Sequence, residues 1–383
     1  MSETNKNSIA FLFGAGISQS SLISTQSLTE KILSAENVVH LSGGYFLHPN
    51  PKIFEDIDVR GLVPKIQELI KIIIADFSNH YMFSDSGMNY EDIYYLINSI
   101  YEEENGEYAN PIISKYCDSF REKYARLFKA KFSDFGDLRL IDLASEALNY
   151  IRNLIAINLS KPAASLDHLN FLSEIHADES LSKIYIFTLN HDILIEQYCN
   201  NKIVLSDGFI PDGNGNRIWS AKSFNEKFSL LKLHGSINWY RMIGQDLYDD
   251  RTVIYGSPKR GHDEPLIIIG RFNKLQEYTR SINFELQCLF ANQLDQTNNL
   301  IISGYSFGDQ GINSRLIHWA LGSRERRIFV IHKDPDDLIK NARPAIRKIF
   351  SFLIKKDKVI YVKDFITKDT KWSDIKKFLL NKY

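Results

Sequence analysis

The chain has 383 residues, 44% of them hydrophobic, enough for a substantial core in two domains or one elaborated domain, which excludes disorder as its main state. Its 46 Lys and Arg against 47 Asp and Glu leave a formal net charge of -1, so no global field would gather nucleic acid. Cys117, Cys199 and Cys288 stand alone with no C-x-x-C pair, which signals neither a disulfide framework nor a cysteine zinc site. A reducing cytoplasm is expected. No stretch approaches the roughly 20 apolar residues of a membrane span, and the early apolar run is too short for a signal-peptide core.

In chain order, residues 9–13 (IAFLF) read as a buried strand running into Gly14-Ala15-Gly16, with Ser18 just beyond. Glycine permits sharp turns and lets backbone N–H groups crowd around a phosphate. A helix is predicted over residues 27–34, with Leu28, Ile32 and Leu33 on one face. The pattern then changes to long amphipathic runs at 62–77, 90–101, 116–132 and 138–159, too rich in Leu, Ile, Tyr and Phe to be a linker. They predict a helical insertion subdomain over residues 36–161.

From residue 162 onward strands and helices alternate. A helix through Leu169, Leu172 and Ile175 precedes a strand at 184–189. Further strands are expected at 230–233, 265–269, 300–303, 328–331 and 359–362, with helices at 284–294 and 312–321 and an exposed loop at 207–216. Most of these strands are continuous apolar runs, the mark of a parallel sheet covered on both faces. The expected fold is α/β: a Rossmann-like, doubly wound parallel sheet built from residues 1–35 and 162–383. Residues 347–383 hold 11 Lys or Arg against 4 Asp or Glu, interleaved with aromatics. Their spacing reads as a last strand and helix with solvated lysines, and a basic docking surface for a partner or nucleic acid is the other reading.

Four short motifs sit at strand ends: Gly14-Ala15-Gly16 with Ser18; Thr188, Asn190 and Asp192; His234-Gly235; and Gly304 with Ser306. Singly each is ordinary. The first lacks the third glycine of the dinucleotide fingerprint, having Gln19 there. In an open α/β sheet, however, ligands bind beyond the carboxyl ends of the strands, where all four would converge. Asp309 and Asn313 are spaced to cap a helix as readily as to touch a ligand. His168, His191, His318 and His332 have no such context and read as structural.

In their order these motifs resemble those of the sirtuin-like superfamily, and the helical insertion is similar to those of its bacterial antiviral branch. The resemblance implies NAD as substrate, bound through Gly14, Ala15, Gly16, Ser18, Thr188, Asp192, Gly235, Gly304 and Ser306. It implies that Asn190 fixes a water and the nicotinamide ribose, that Asp192 meets the carboxamide end, and that His234 is the general base, a role suited to a group titrating near neutrality. The backbone at residues 14–16, with the next helix N-terminus, would meet the pyrophosphate.

Sirtuin deacylases carry a zinc module of two cysteine pairs, which three scattered cysteines do not form, so no metal is expected and water becomes the acceptor. The implied activity is an NAD glycohydrolase of an antiphage defence system. The alternatives are a non-catalytic NAD or ADP-ribose sensor or scaffold, and an NAD-dependent deacylase. A homo-oligomer and a HerA-type ATPase translocase are the implied partners, with the insertion making oligomer contacts or gating the site. Nucleic acid would be met only indirectly or through the basic C-terminal segment.

Overall fold

The computed structural model describes residues 8–36, 38–41, 45–47, 61–81, 87–129, 136–241, 252–256 and 264–380. The helix expected over 116–132 is corrected: it ends at Lys123 and gives way to a 3-10 turn at Ala125–Phe128, and residues 130–132 lie outside the described residues.

Strand β1 (Ser8–Phe13) is followed by helix α1 (Thr25–Ser34) and a hairpin of β2 (Val39–Leu41) and β3 (Tyr45–Leu47). The amphipathic runs form α2 (Leu62–Phe77), α3 (Tyr90–Glu104), α4 (Pro111–Lys123) and α5 (Leu140–Leu159). Their starts reflect local chemistry. Asn89 and Asp92 close a reciprocal capping box on α3, and Asn110 caps α4 ahead of a proline at its first position. The chain continues through α6 (Phe171–Ala177), β4 (Lys183–Thr188), α7 (Leu194–Cys199), β5 (Leu205–Ser206), β6 (Phe209–Pro211), β7 (Arg217–Trp219), β8 (Phe228–Lys232), β9 (Gly235–Arg241), β10 (Val253–Tyr255) and β11 (Pro265–Ile267). It closes with α8 (Lys274–Glu277), α9 (Ser281–Leu294), β12 (Asn299–Ser303), α10 (Gln310–Leu321), β13 (Arg327–Ile331), α11 (Pro335–Asn341), α12 (Pro344–Lys355), β14 (Val359–Val362) and α13 (Trp372–Leu380).

Seven strands form one sheet in the order β14-β13-β12-β1-β4-β8-β5, every pair parallel. This is the Rossmann-like α/β arrangement expected. Beside β1 the chain order reverses, which opens a crevice at the carboxyl ends of β1, β4 and β12. β1 is buried on both faces: Ala10 and Leu12 join one core, while Ile9, Phe11 and Phe13 join the other. Each fully buried Phe contributes roughly 2–3 kcal/mol by removal from water.

Two further expectations are corrected. The run at 265–269 does not enter the parallel sheet. Its β11 lies in a five-stranded antiparallel sheet, β11-β9-β10-β7-β6. Ile267 and Ile269 pack into the helical core while Ile268 packs into the core beneath the sheet, so an antiparallel edge strand is apolar on both sides and mimics a parallel one. The expected loop at 207–216 is the start of a hairpin, with Phe209 buried against Trp219 and Trp239 and the turn closed by Asp212 Oδ1 accepting from the N–H of Asn214 and Asn216.

The helices α2, α3 and α5 share a core that also takes the apolar face of α1, Leu28 and Ile32. Tyr150 Oη and Gln67 Nε2 both donate to the Ile32 carbonyl, at 2.7 and 3.0 Å. Among the described residues no helix is long and apolar enough to cross a membrane.

Candidate functional site

The turns after β1 and β12 interlock. Gly14 N–H donates to Ser303 O at 3.1 Å and Gly16 N–H to Gly304 O at 2.9 Å. A Cβ on Gly14 would sit 2.5 Å from Gly304 O, and one on Gly16 would sit 2.6 Å from Gly304 Cα. Gly304, at φ +69°, would meet Ile17 N at 2.5 Å in turn. These glycines are required because two backbone turns occupy each other's side-chain space. That corrects the expectation of bare N–H groups beneath a helix N-terminus: the N–H groups of Gly14 and Gly16 are spent on the neighbouring turn. Ala15–Ser18 form a single 3-10 turn, and α1 begins only at Thr25.

The loop after β4 is tied to that turn. Asn190 Nδ2 donates to Gly14 O at 3.1 Å and to Ser18 Oγ at 2.9 Å, and Ser18 Oγ donates to Asp192 Oδ2 at 2.8 Å. Asp192 Oδ1 accepts from Leu194 N–H, and Thr188 Oγ1 accepts from Asn190 N–H, both at 3.1 Å. Both amide hydrogens of Asn190 thus serve the wall, and its Oδ1 is the polar atom left over. Beneath lies Lys232, 1% exposed, whose Nζ donates to the Asp192 carbonyl and, at 2.8 Å, to Glu196 Oε1. Burial of Glu196 pushes its carboxyl up despite this lysine.

His234 lies just beyond the end of β8. Its Nε2 lies 2.7 Å from Tyr278 Oη and 3.1 Å from Asp309 Oδ2, and Tyr278 Oη donates to Asp309 Oδ2 at 2.5 Å. Burial, then the nearby Lys274 ammonium, lowers the imidazole pKa, so the ring rests neutral. Burial alone would raise the Asp309 carboxyl, but hydrogen bonds from His234 and Tyr278 and the charge of Lys274 outweigh it and keep the group ionised. Asp309 Oδ1 accepts from Ile312 N–H at 3.0 Å, so the residue both caps α10 and meets the histidine. Gly235 takes φ +73°, and a side chain there would collide with the Leu266 carbonyl.

These pieces bound a cavity of about 800 Å³. Of the predicted residues, Gly14, Ala15, Gly16, Ser18, Asn190, Asp192, His234, Gly304 and Ser306 line it; Thr188 and Gly235 do not and act through the turns they hold. His191 and His332, read from the sequence as structural, line it too, and the His191 ring lies 6.2 Å from that of His234. Asn313 stands behind the wall, accepting from Tyr305 Oη at 2.8 Å.

The opposite wall comes from the helical body: Leu28 of α1 and Asn89, Tyr90 and Glu91 at the start of α3. Among the described residues, two ion pairs at the first turn of α3 help bolt it on. Arg271 forms a two-pronged bond to Asp92, at 2.7 and 3.1 Å, and Lys274 Nζ lies 3.1 Å from Glu91 Oε2. Sequence reading missed Tyr278, Lys274, Arg271 and Glu91, and weighed Asp309 only as a cap or ligand contact. No local pattern marks them, because their partners lie 31 to 183 positions away. Among the described residues no group of three or more His, Cys, Asp or Glu is placed to hold a metal ion.

Residues 185–354 match the family model described as a SIR2-like domain, a span that includes Asn190, His234, Gly304, Ser306 and Asp309. No curated protein matches the chain. Among solved structures, one described as "Structural Basis for the Mechanism and Regulation of Sir2 Enzymes" aligns over 93% of each chain at 8% identity with a TM-score of 0.34. Residues 185–354 of the chain are thus similar to a SIR2-like domain.

Proposed function

We propose that the chain hydrolyses NAD to nicotinamide and ADP-ribose. The observation that carries this reading is the meeting of the Asn190 amide and the His234 imidazole in one cavity with both glycine turns, at the sheet's reversal point. Its volume lies within the range of small-molecule and cofactor sites, roughly 300–1,000 Å³. Lys333 lines it and suits a pyrophosphate, Arg271 and Lys274 being engaged by Asp92 and Glu91, while Ser306 and the free Oδ1 of Asn190 offer partners to ribose hydroxyls.

In the reaction the bond between ribose C1′ and the nicotinamide nitrogen breaks. Its electron pair leaves with nicotinamide, which departs neutral because the ring nitrogen of NAD is positive. The ribose passes through an oxocarbenium-like state, as in other glycoside cleavage. A water oxygen bonds C1′ and gives its proton to neutral His234, then to solvent. The Asn190 amide, clamped by Gly14 and Ser18, keeps its oxygen aimed without reorganisation.

Incubation with NAD, read by chromatography, should yield nicotinamide and ADP-ribose in equal amounts. A fully active His234→Ala chain would remove the assignment of the base. The commitment of Asp192 and both Asn190 amide hydrogens to the wall favours a second reading, a sensor that binds NAD or ADP-ribose without turnover. Calorimetric binding with NAD recovered intact would select it. NAD-dependent deacylation, drawn from the resemblance to the sirtuin-like superfamily, would instead consume acyl-peptide in step with NAD. On the resemblance to the antiviral branch, we extend the proposal to an antiphage role in the cytoplasm, as a homo-oligomer with a HerA-type ATPase partner. Gel filtration of the chain alone and with that partner tests the assembly.

A further inference from the structure

We propose that Asp309 and Tyr278 are positioning residues that hold the His234 imidazole with its proton on Nε2, leaving Nδ1 as the nitrogen that accepts the proton of the attacking water. The last step rests on the hydrolase reading; the tautomer does not.

Proton supply decides the tautomer. An ionised carboxylate only accepts, and a tyrosine hydroxyl has one proton to give. Tyr278 gives its proton to Asp309 Oδ2 across 2.5 Å. The His234 Nε2 then faces two acceptors, Tyr278 Oη at 2.7 Å and Asp309 Oδ2 at 3.1 Å, and satisfies them only as a donor. A neutral ring protonated on Nε2 carries its basic lone pair on Nδ1. Burial raises the stakes, because the side chains of His234 and Asp309 are each 5% exposed and water cannot substitute for a lost partner.

The carboxylate is itself immobilised. Its second oxygen caps α10 through Ile312 N–H, and its own N–H donates to Tyr305 Oη at 3.2 Å. The other charged or titratable groups acting on the imidazole are Lys274 of α8, Glu91 of α3 and His191 of the loop after β4. Burial, and after it the Lys274 cation, keep the ring neutral at rest. Asp309 stabilises the imidazolium once a proton arrives, and the electrons balance without any further reactant.

Histidine ring nitrogens in ¹⁵N-labelled chain, with the His234 signals assigned by their loss in His234→Gln, should show Nε2 protonated and Nδ1 bare at pH 7.5. Asp309→Asn keeps a side-chain oxygen to cap α10, so the fold should survive, as a thermal melt would show. Its amide N–H₂ then faces Nε2, drives the proton to Nδ1 and abolishes the base. Nicotinamide release should fall about 10²- to 10⁴-fold in kcat with little change in KM, the scale of a misplaced histidine tautomer. Asp309→Ser, which caps without reversing polarity, should give a smaller loss in kcat and move the midpoint of the acid limb to lower pH, because the carboxylate that favours the imidazolium is gone. Tyr278→Phe should retain the tautomer and lose about tenfold. Bare Nε2 in the wild type, or Asp309→Asn with unchanged kcat and tautomer, would overturn the proposal. Wild-type chain that releases no nicotinamide but shows protonated Nε2 would sink the hydrolase reading and leave the tautomer standing.

Discussion

The cavity has two unlike walls. The sheet wall is made of backbone turns so closely fitted that Gly14, Gly16 and Gly304 have no room for a methyl group, and its side chains are locked to one another by Ser18, Asn190 and Asp192. The helical wall touches the site with few residues and is fastened by charge, through Arg271 to Asp92 and Lys274 to Glu91, over apolar packing that Ile267 and Ile269 share. On the proposed hydrolysis the contrast separates two tasks: the sheet wall would fix atoms where bonds change, and the helical wall would close the space.

Substitutions can break that division. On the sheet wall, Asn190→Ala and His234→Ala should each lower nicotinamide release by more than about 10³-fold, and Asn190→Ala should also cost about 1–3 kcal/mol of stability because its two buried hydrogen bonds are lost. Retained activity in both would dissolve the wall's chemical role. Gly304→Ala should be among the most destabilising single changes, because it combines positive φ with a backbone collision. A loss of about 3–5 kcal/mol in a denaturant titration is expected, and a loss under about 1 kcal/mol would mean the turns can part.

On the helical wall, Asp92→Ala should cost less, about 2–3 kcal/mol, since Arg271 is partly exposed and recovers some hydration. It should raise KM more than it lowers kcat. Equal losses in both would place Asp92 with the chemical wall. The smallest effect concerns pH. Burial, aided for His191 and His234 by neighbouring positive charge, lowers the pKa of His168, His191 and His234 below the ordinary 6.5. The unfolded chain therefore binds protons first on acidification. Their contribution is complete above about pH 6.5 and is lost as pH falls from there toward the folded-state values. Thermal midpoints from pH 8 to 5 should decline only in the acid half. Lys274→Met should move the acid limb of the rate profile to higher pH, because removing the ammonium lets His234 take a proton sooner.

The sheet wall was legible from sequence because each part is local. A run such as 9–13 ends on glycines, and Thr188, Asn190 and Asp192 fall within five positions. What those glycines do was not legible, since steric room for a phosphate and steric room for another turn leave the same residue type. The antiparallel β11 was misassigned for a similar reason: burial on both faces erases the alternation that distinguishes strand types. The helical wall's existence could be read from amphipathic periodicity, but not its contacts. Glu91 and Asp92 look like the acidic first turn of any helix, and only the tertiary fold brings Lys274 and Arg271 to them. Asp309 shows the same limit within one residue, where a cap and a histidine partner carry one signature.

The most direct measurement is to incubate the purified chain with NAD, track nicotinamide and ADP-ribose, and measure NAD binding to the His234→Ala chain by calorimetry beside it. Equimolar products from the wild type, with a variant that binds NAD and leaves it whole, is the predicted result. NAD that stays intact when bound to the wild type, or is cleaved equally by the variant, would contradict the assignment of this cavity to hydrolysis.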